Sequence, residues 1–394
     1  MVIRKSKTVI DPLPYIWYAG PVLLLAISGL LDAIYLSFSH YRVYTDIGYS
    51  SFCAISQSLN CDTVSQSPLS ILFNVPVPIW GVFGYTFFLA LFGYSHFKLR
   101  DRQRTWALLF VVAFSFSIIS VVLAYISTKY IRTLCIMCLL SYGINFALTF
   151  YCWMICRRYS SVGLFKNIEE DIRILWRNKK FSGALVSVSI FAAIILLLGF
   201  PSYWHMEPIQ IDETLSRGIT SNGHPWIGAV EPELTIEEYS DYQCFQCRKM
   251  HYYLRKLVAA NRDRIRLVHR HFPMDHLFNP LVKEPFHPGS GNMALVAIYA
   301  TEHGKFWEMN DMLLSLQKNQ SIGVRKLFTD VGLDTELYFL PKMQQKIAAK
   351  LFQDIKTGLE LEITGTPTYL INGELHVGKI EPDILNPYLS SDAG

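Results

Sequence analysis

Long apolar runs separated by short polar stretches fill the first half of the chain, and the second half switches to the shorter alternations of a water-soluble domain. Five runs, at residues 15–38, 77–97, 105–128, 133–156 and 182–202, reach the roughly 20 residues that a helix needs to cross a hydrocarbon core of about 30 Å. Two of them, 105–128 and 133–156, each hold 24 residues without Asp, Glu, Lys or Arg. The first run is longer than the apolar core of a signal peptide and more spans follow it, so it reads as a retained span. Asp32, toward its far end, is expected to be a solvated carboxylate at the interface.

Beyond the fifth run, residues 203–232 are rich in Pro and Gly and read as a linker. A short alternating strand at 234–239 follows, then a helical pattern over 248–260 and further helical segments between about 290 and 360. Composition agrees with a membrane half: 51% of residues are hydrophobic and only 17% charged. The net charge of +4 is small, and the basic residues cluster beside apolar runs, which argues against nucleic acid as a partner.

Those basic residues also set an orientation. The segments 1–14, 97–104 and 157–180 together carry 14 Lys and Arg, against 3 in the segments 39–76 and 129–132. Basic loops stay on the cytoplasmic side, so the N-terminus is expected inside and the region after five crossings outside.

Eight cysteines fall into four close pairs. Cys244 and Cys247 form a Cys-x-x-Cys between a strand and a helix, the context that gives this motif redox meaning. Helix dipole and free amides favour thiolate at the first cysteine, so Cys244 is the expected attacking thiol and Cys247 the resolving one. Cys135 and Cys138 lie on one helix face at the mouth of the fourth span, within sideways reach of a quinone in the bilayer; Cys53 and Cys61 occupy the loop after the first span. Three pairs then face the non-cytoplasmic side, where disulfides persist. Cys152 and Cys156, deeper in the fourth span, read as small apolar packing residues. The cysteine spacing does not suit a metal site. His269 and His271 share a strand face and are expected at the surface or in a substrate groove.

From about residue 230 to 390 the chain resembles the DsbA-like oxidoreductases of the thioredoxin fold. The resemblance rests on Tyr239-Ser-Asp-Tyr-Gln-Cys-Phe-Gln-Cys-Arg, Arg270-His-Phe-Pro-Met-Asp, Gly304-Lys-Phe-Trp-Glu-Met and Gly365-Thr-Pro-Thr-Tyr-Leu-Ile-Asn-Gly. It implies that Pro367, preceded by Thr366, is a cis-proline element docking substrate against the cysteines. Phe245 stands where many members have proline. Residues 12–156 resemble the vitamin K epoxide reductase family, through Cys53, Cys61 with Ser67 six residues later, Val75-Pro-Val-Pro-Ile-Trp-Gly, and Cys135-Ile-Met-Cys138 with Tyr142 four residues on. That resemblance implies Cys138 nearest a quinone, Cys135 exchanging with Cys61, Cys53 receiving electrons from the tethered domain, and Ser67 and Tyr142 lining the quinone pocket.

The expected architecture is multi-domain: an α-helical membrane bundle with a four-helix core like that of the reductase family and a fifth transmembrane helix, then a soluble α/β thioredoxin fold with a helical insertion. Its expected divisions are a cytoplasmic N-terminus (1–14), the quinone-reducing membrane domain (15–156), a basic cytoplasmic loop (157–181), the fifth span (182–202), the linker (203–232) and the thioredoxin-like domain (233–394). The expected function is membrane thiol:quinone oxidoreductase supporting disulfide formation in the inner membrane. Its partners would be reduced client proteins in the periplasm and a membrane quinone, ubiquinone or menaquinone, with exchange between its own two domains and no metal. Two other readings are a reductase or isomerase that keeps client thiols reduced, and a membrane-anchored chaperone without electron transfer.

Overall fold

Small residues set how the apolar helices meet. Helix α1 (Ile16–Thr45) buries Ala19, Val22, Ala26, Gly29, Ala33 and Leu36, a stripe at helical spacing. Such residues let backbones approach closely where no water drives association. The Tyr85 ring lies so near Gly29 that a Cβ there would overlap it, and a Cβ on Gly81 would sit 3.2 Å from that of Ala33. After α1 come a short helix α2 (Cys61–Ser65), the two-residue strands β1 (Ile71–Leu72) and β2 (Val75–Pro76), and helices α3 (Val77–Lys98), α4 (Trp106–Ile126) and α5 (Ile136–Tyr159). Polar side chains tie the bundle together: the Tyr85 hydroxyl donates to Asn145 Oδ1 at 2.7 Å, and Asn145 Nδ2 donates to Ser120 Oγ at 2.9 Å.

The computed structural model describes residues 15–55, 59–98, 105–159, 163–177, 179–205, 214–316, 323–378, 380 and 382–389. Among them five helices are long and apolar enough to cross a membrane. The expected cytoplasmic segment 1–14 and the basic residues Arg100, Arg102 and Arg104 lie outside the described residues. The chain divides into two compact units, the first ending at Trp204 and the second running from His205 and including Asp46–Gly48.

Three sequence expectations change in the membrane unit. Within 157–181, expected as a loop, the chain forms helix α6 (Leu164–Arg177), exposing Phe165, Ile172 and Trp176 as an interfacial amphipathic helix does. Its buried Asp171 accepts from the backbone amides of Thr105 and Ala107, both at 3.0 Å, and of Leu108 at 3.3 Å, satisfying amides that the start of α4 leaves free. The fifth apolar helix, α7 (Lys179–Gly199), starts three residues early and stops before Pro201, which disfavours helix in the residue preceding it. Asp32 is not solvated: it is 5% exposed and accepts a hydrogen bond from the Ser141 hydroxyl of α5. The small-residue stripe of α1 turns that side inward, and Asp32 lies on it.

The second unit is a six-stranded sheet in the order β3-β4-β6-β5-β7-β8. Strands β3 (Arg217–Ile219) and β4 (Pro225–Gly228) fall inside the stretch expected to be linker. Gly228, at φ +112°, passes so close to the Ile265 carbonyl that no side chain fits, so the glycines here serve strand packing as well as turns. Only the first part of 203–232 is left as a connection, and residues 206–213 lie outside the described residues. Strand β5 (Leu234–Ser240) runs parallel to β6 (Ile265–His271) and antiparallel to β7 (Thr368–Ile371), which pairs with β8 (Glu374–Val377). Helix α8 (Phe245–Ala260) connects β5 to β6. Helices α9 (Ser290–Glu302), α10 (Phe306–Ser315), α11 (Val324–Val331), α12 (Thr335–Tyr338) and α13 (Pro341–Glu360) are inserted between β6 and β7. His269 and His271 are buried, contrary to the surface or substrate-groove position expected, because β6 is an interior strand of the sheet.

Candidate active site

Cys244 ends the turn after β5 and is the N-cap of α8, its sulfur accepting from the Cys247 amide at 3.2 Å. A sulfur there faces the positive end of the helix. The turn is held by buried Asp241: Oδ1 accepts from the amides of Gln243 (2.6 Å) and Cys244 (3.1 Å), Oδ2 from the amide of Met274 (2.6 Å) and the hydroxyl of Ser290 (2.8 Å). His287 Nδ1 lies 3.2 Å from the same Oδ2. Opposite the cysteines, the Thr366–Pro367 peptide is cis and the Cys244 thiol reaches the Thr366 carbonyl at 3.4 Å. Cys244, Cys247, Thr366 and Pro367 therefore share one place.

Environment separates the two thiols. Burial works against the Cys244 thiolate, but the hydrogen bond from Cys247 and the charge of His287 outweigh it and hold this thiol below its ordinary range. Burial, the bond with Cys244 and its charge push Cys247 well above that range. Cys244 is 8% exposed and Cys247 not at all. The outer thiol is thus the more readily ionised of the two and the inner one the less.

Sequence reasoning missed the acid beneath them. Glu238 has no exposed surface, and burial, with the charge of Cys244, raises its carboxyl to about 8. Tyr369, its neighbour across β5 and β7, feels the charges of Glu238 and both cysteines. The signal was legible: Leu234, Ile236 and Glu238 alternate onto the inward face of β5, and a carboxyl has no packing reason to be there.

In the membrane unit two disulfides lie side by side. Cys53 pairs with Cys61 and Cys135 with Cys138, at Cα separations of 5.6 and 5.2 Å. The Asn60 amide donates to the Leu134 carbonyl at 2.9 Å, which places the residues just before Cys61 and Cys135 in contact. Cys53, Cys61 and Cys135 are buried in one small apolar cluster with Leu36, and Cys138 packs at its edge. Asn60 also caps α2, accepting from the Thr63 amide at 3.0 Å, and Asp62 Oδ2 accepts from the Ser51 amide at 3.0 Å. The loop is thus pinned on both sides of Cys61.

Ser67 and Tyr142 are less engaged. The Ser67 hydroxyl accepts from the Leu69 amide at 3.2 Å and caps the following turn, while Tyr142 is half-buried one turn beyond Cys138. Asp32 and Ser141 meet one turn deeper than Leu36 and Cys138, a pairing that spacing alone does not reveal. Cys152 and Cys156 are free and buried among apolar side chains. Among the described residues no cluster of His, Cys, Asp and Glu suits a metal ion.

Comparison with known proteins matches the same two regions. Residues 21–153 match the vitamin K epoxide reductase family, and residues 220–390 match a thioredoxin family. Among curated proteins, the chain is 27% identical over 165 residues to the Na(+)/H(+) antiporter NhaA 3 of Salinispora tropica, covering 42% of this chain and 24% of that protein. It is 24% identical over 202 residues to NhaA 1 of Mycobacterium sp. strain KMS, covering 50% and 32%. The chain thus spans about a quarter to a third of these relatives. Among solved structures, a thioredoxin-like oxidoreductase from Silicibacter pomeroyi DSS-3 is 27% identical, covering 43% of this chain and 91% of its own, with a TM-score of 0.36. The thiol-disulfide exchange protein alpha-DsbA2 from Wolbachia pipientis is 19% identical, covering 42% and 84%, with a TM-score of 0.35. A close cysteine pair lies in each matched region, and the chain joins a vitamin K epoxide reductase family domain, residues 21–153, to a thioredoxin domain, residues 220–390.

Proposed function

We propose that the chain is a membrane thiol:quinone oxidoreductase carrying its own disulfide donor. A client thiolate attacks the Cys244–Cys247 disulfide; the client leaves as a disulfide and the pair as a dithiol. That dithiol reduces Cys53–Cys61, which reduces Cys135–Cys138, and the last dithiol gives two electrons and two protons to a quinone, forming quinol. Every protein step is attack of a thiolate on a disulfide through a mixed intermediate. By this reading Cys138 faces the quinone, with Ser67 and Tyr142 in the pocket, and Thr366 and Pro367 dock the client. The flank of Cys138 suits an amphipathic ring arriving from the bilayer, since Ile136, Leu139 and Leu140 are exposed apolar neighbours. The basic loops argue for a cytoplasmic N-terminus and a periplasmic thioredoxin domain.

The observation that carries the reading is the contact between Asn60 and Leu134, which holds Cys61 beside Cys135. An anchor would have no use for it. Replacing Cys53 and Cys138 by Ala leaves Cys61 and Cys135 as the exchanging partners. Purified protein of this kind is expected to carry a Cys61–Cys135 disulfide, detected by mass spectrometry of digested peptides; two free thiols under oxidising conditions would reject the relay.

A further inference from the structure

Turnover of Cys244 and Cys247 moves a proton in a place that water does not reach. Before Cys247 can attack a mixed disulfide on Cys244 it must lose its proton, and when it leaves as thiolate it must regain one. Cys247 and Glu238 are both fully buried and the charge of Cys244 reaches Glu238, so Glu238 can exchange a proton with the cysteine pair only if it can pass it onward.

One imidazole spans the gap. His251 lies one turn after Cys247 on α8, and its Nδ1 is 4.0 Å from Glu238 Oε2. Its Nε2 is 2.8 Å from Asp311 Oδ1 on α10, and the Asp311 side chain is 12% exposed. Neither Glu238 oxygen nor His251 Nδ1 has a hydrogen-bond partner among the described residues, so the two unpartnered groups face each other. With Nε2–H donating to Asp311, Nδ1 is left as an acceptor for the proton on Glu238. A shift of under 1 Å brings the 4.0 Å separation within hydrogen-bond range.

We propose that His251 is the positioning and proton-relay residue for Cys247, passing its proton from Glu238 to Asp311 and so to water. The inference rests on the oxidoreductase reading of Cys244 and Cys247 and is independent of the quinone. The balance is simple: the Cys247 proton goes to water by this path, its sulfur bonds Cys244, and the outgoing thiolate takes its own proton from solvent. The groups facing the path are Arg255, 3.3 Å from Asp311, the Asn310 amide, 3.3 Å from His251 Nε2, and His269, whose Nδ1 is also 4.0 Å from Glu238 Oε2. His269 cannot replace His251, because neither of its ring nitrogens has an onward partner. Burial also keeps both imidazoles below their ordinary range, so His251 rests neutral and ready to accept.

The test uses the full chain with Cys53, Cys61, Cys135 and Cys138 changed to Ala, so that Cys244 and Cys247 exchange alone. The reduced protein is mixed with oxidised glutathione, quenched in acid, and the glutathionylated species are followed by mass. His251→Gln is expected to slow resolution of the mixed disulfide about 10- to 100-fold near neutral pH, the low end for a lost proton-transfer group. Raising the pH should restore the rate, while formation of the mixed disulfide stays within about twofold of the parent. Asp311→Asn should slow resolution less and leave formation unchanged. Unchanged resolution in His251→Gln, equal slowing of both steps, or a loss confined to His269→Phe would each overturn the proposal. A parent that forms no mixed disulfide would instead reject the reading of the cysteine pair itself.

Discussion

Replacing Glu238 by Gln should stabilise the thioredoxin unit, and the gain should grow with pH. Gln keeps the shape but cannot ionise. In the folded dithiol state burial and the Cys244 charge hold the Glu238 carboxyl at about 8, against an ordinary 4.5. A group whose folded value is raised contributes stability that is complete below its unfolded value and lost as pH rises through the folded one. The loss therefore begins near 4.5 and ends a little above 8. A gap of about 3.5 at 1.36 kcal/mol each gives about 5 kcal/mol in full and about 3 kcal/mol at pH 7. Other groups, such as Asp354, raised to about 6 by burial, titrate alike in both proteins and cancel in the difference. Native-state hydrogen exchange under reducing conditions, read at peptides covering β5 and β6 and corrected for intrinsic rates, reports the opening free energy. The variant should gain about 3 to 5 kcal/mol on the parent between about pH 4.5 and 8. Parallel curves across that range would refute the reasoning, showing Glu238 ionised and paired with His251 or His269 instead of held neutral.

Three more substitutions probe separate joints of the structure. His287→Gln removes the positive charge that favours the Cys244 thiolate, so the inflection in alkylation rate against pH should move upward and labelling near neutral pH should fall several-fold. Asp171→Ala strips three amides at the start of α4 of their acceptor and should cost about 1–3 kcal/mol, read as faster protease cleavage near residue 105. Gly29→Leu drives a side chain into the Tyr85 ring and should cost about 1–3 kcal/mol or more, seen as a lower melting temperature of the detergent-solubilised protein.

Apolar run length was enough to find the helices, because crossing a bilayer demands about 20 residues and little else does. Cys244 and Cys247 stood out for a similar reason, since strand, turn and helix around a Cys-x-x-Cys leave few other conformations, whereas Pro367 was expected only through the family resemblance. What escaped was decided by contacts between distant segments. Basic charge made 157–181 look like a loop, yet the buried partner of Asp171 is the start of α4, over 60 residues away. Pro and Gly made residues 217–228 look like linker, although β4 pairs with β6 some 40 residues later. Asp32 was judged by its depth along one helix, whereas Ser141, more than 100 residues on, determines its surroundings. His251 and Asp311 could not be linked at all before α8 and α10 were packed together.

Electron flow from the thioredoxin cysteines to a quinone is tested most directly in nanodiscs that hold the purified full chain, ubiquinone or menaquinone, and a reduced dithiol protein as client. One quinol should form for each client disulfide, and Cys61→Ala or Cys138→Ala should abolish quinol formation while one-step exchange at Cys244 continues. Quinol formation at an undiminished rate in either variant would contradict the relay.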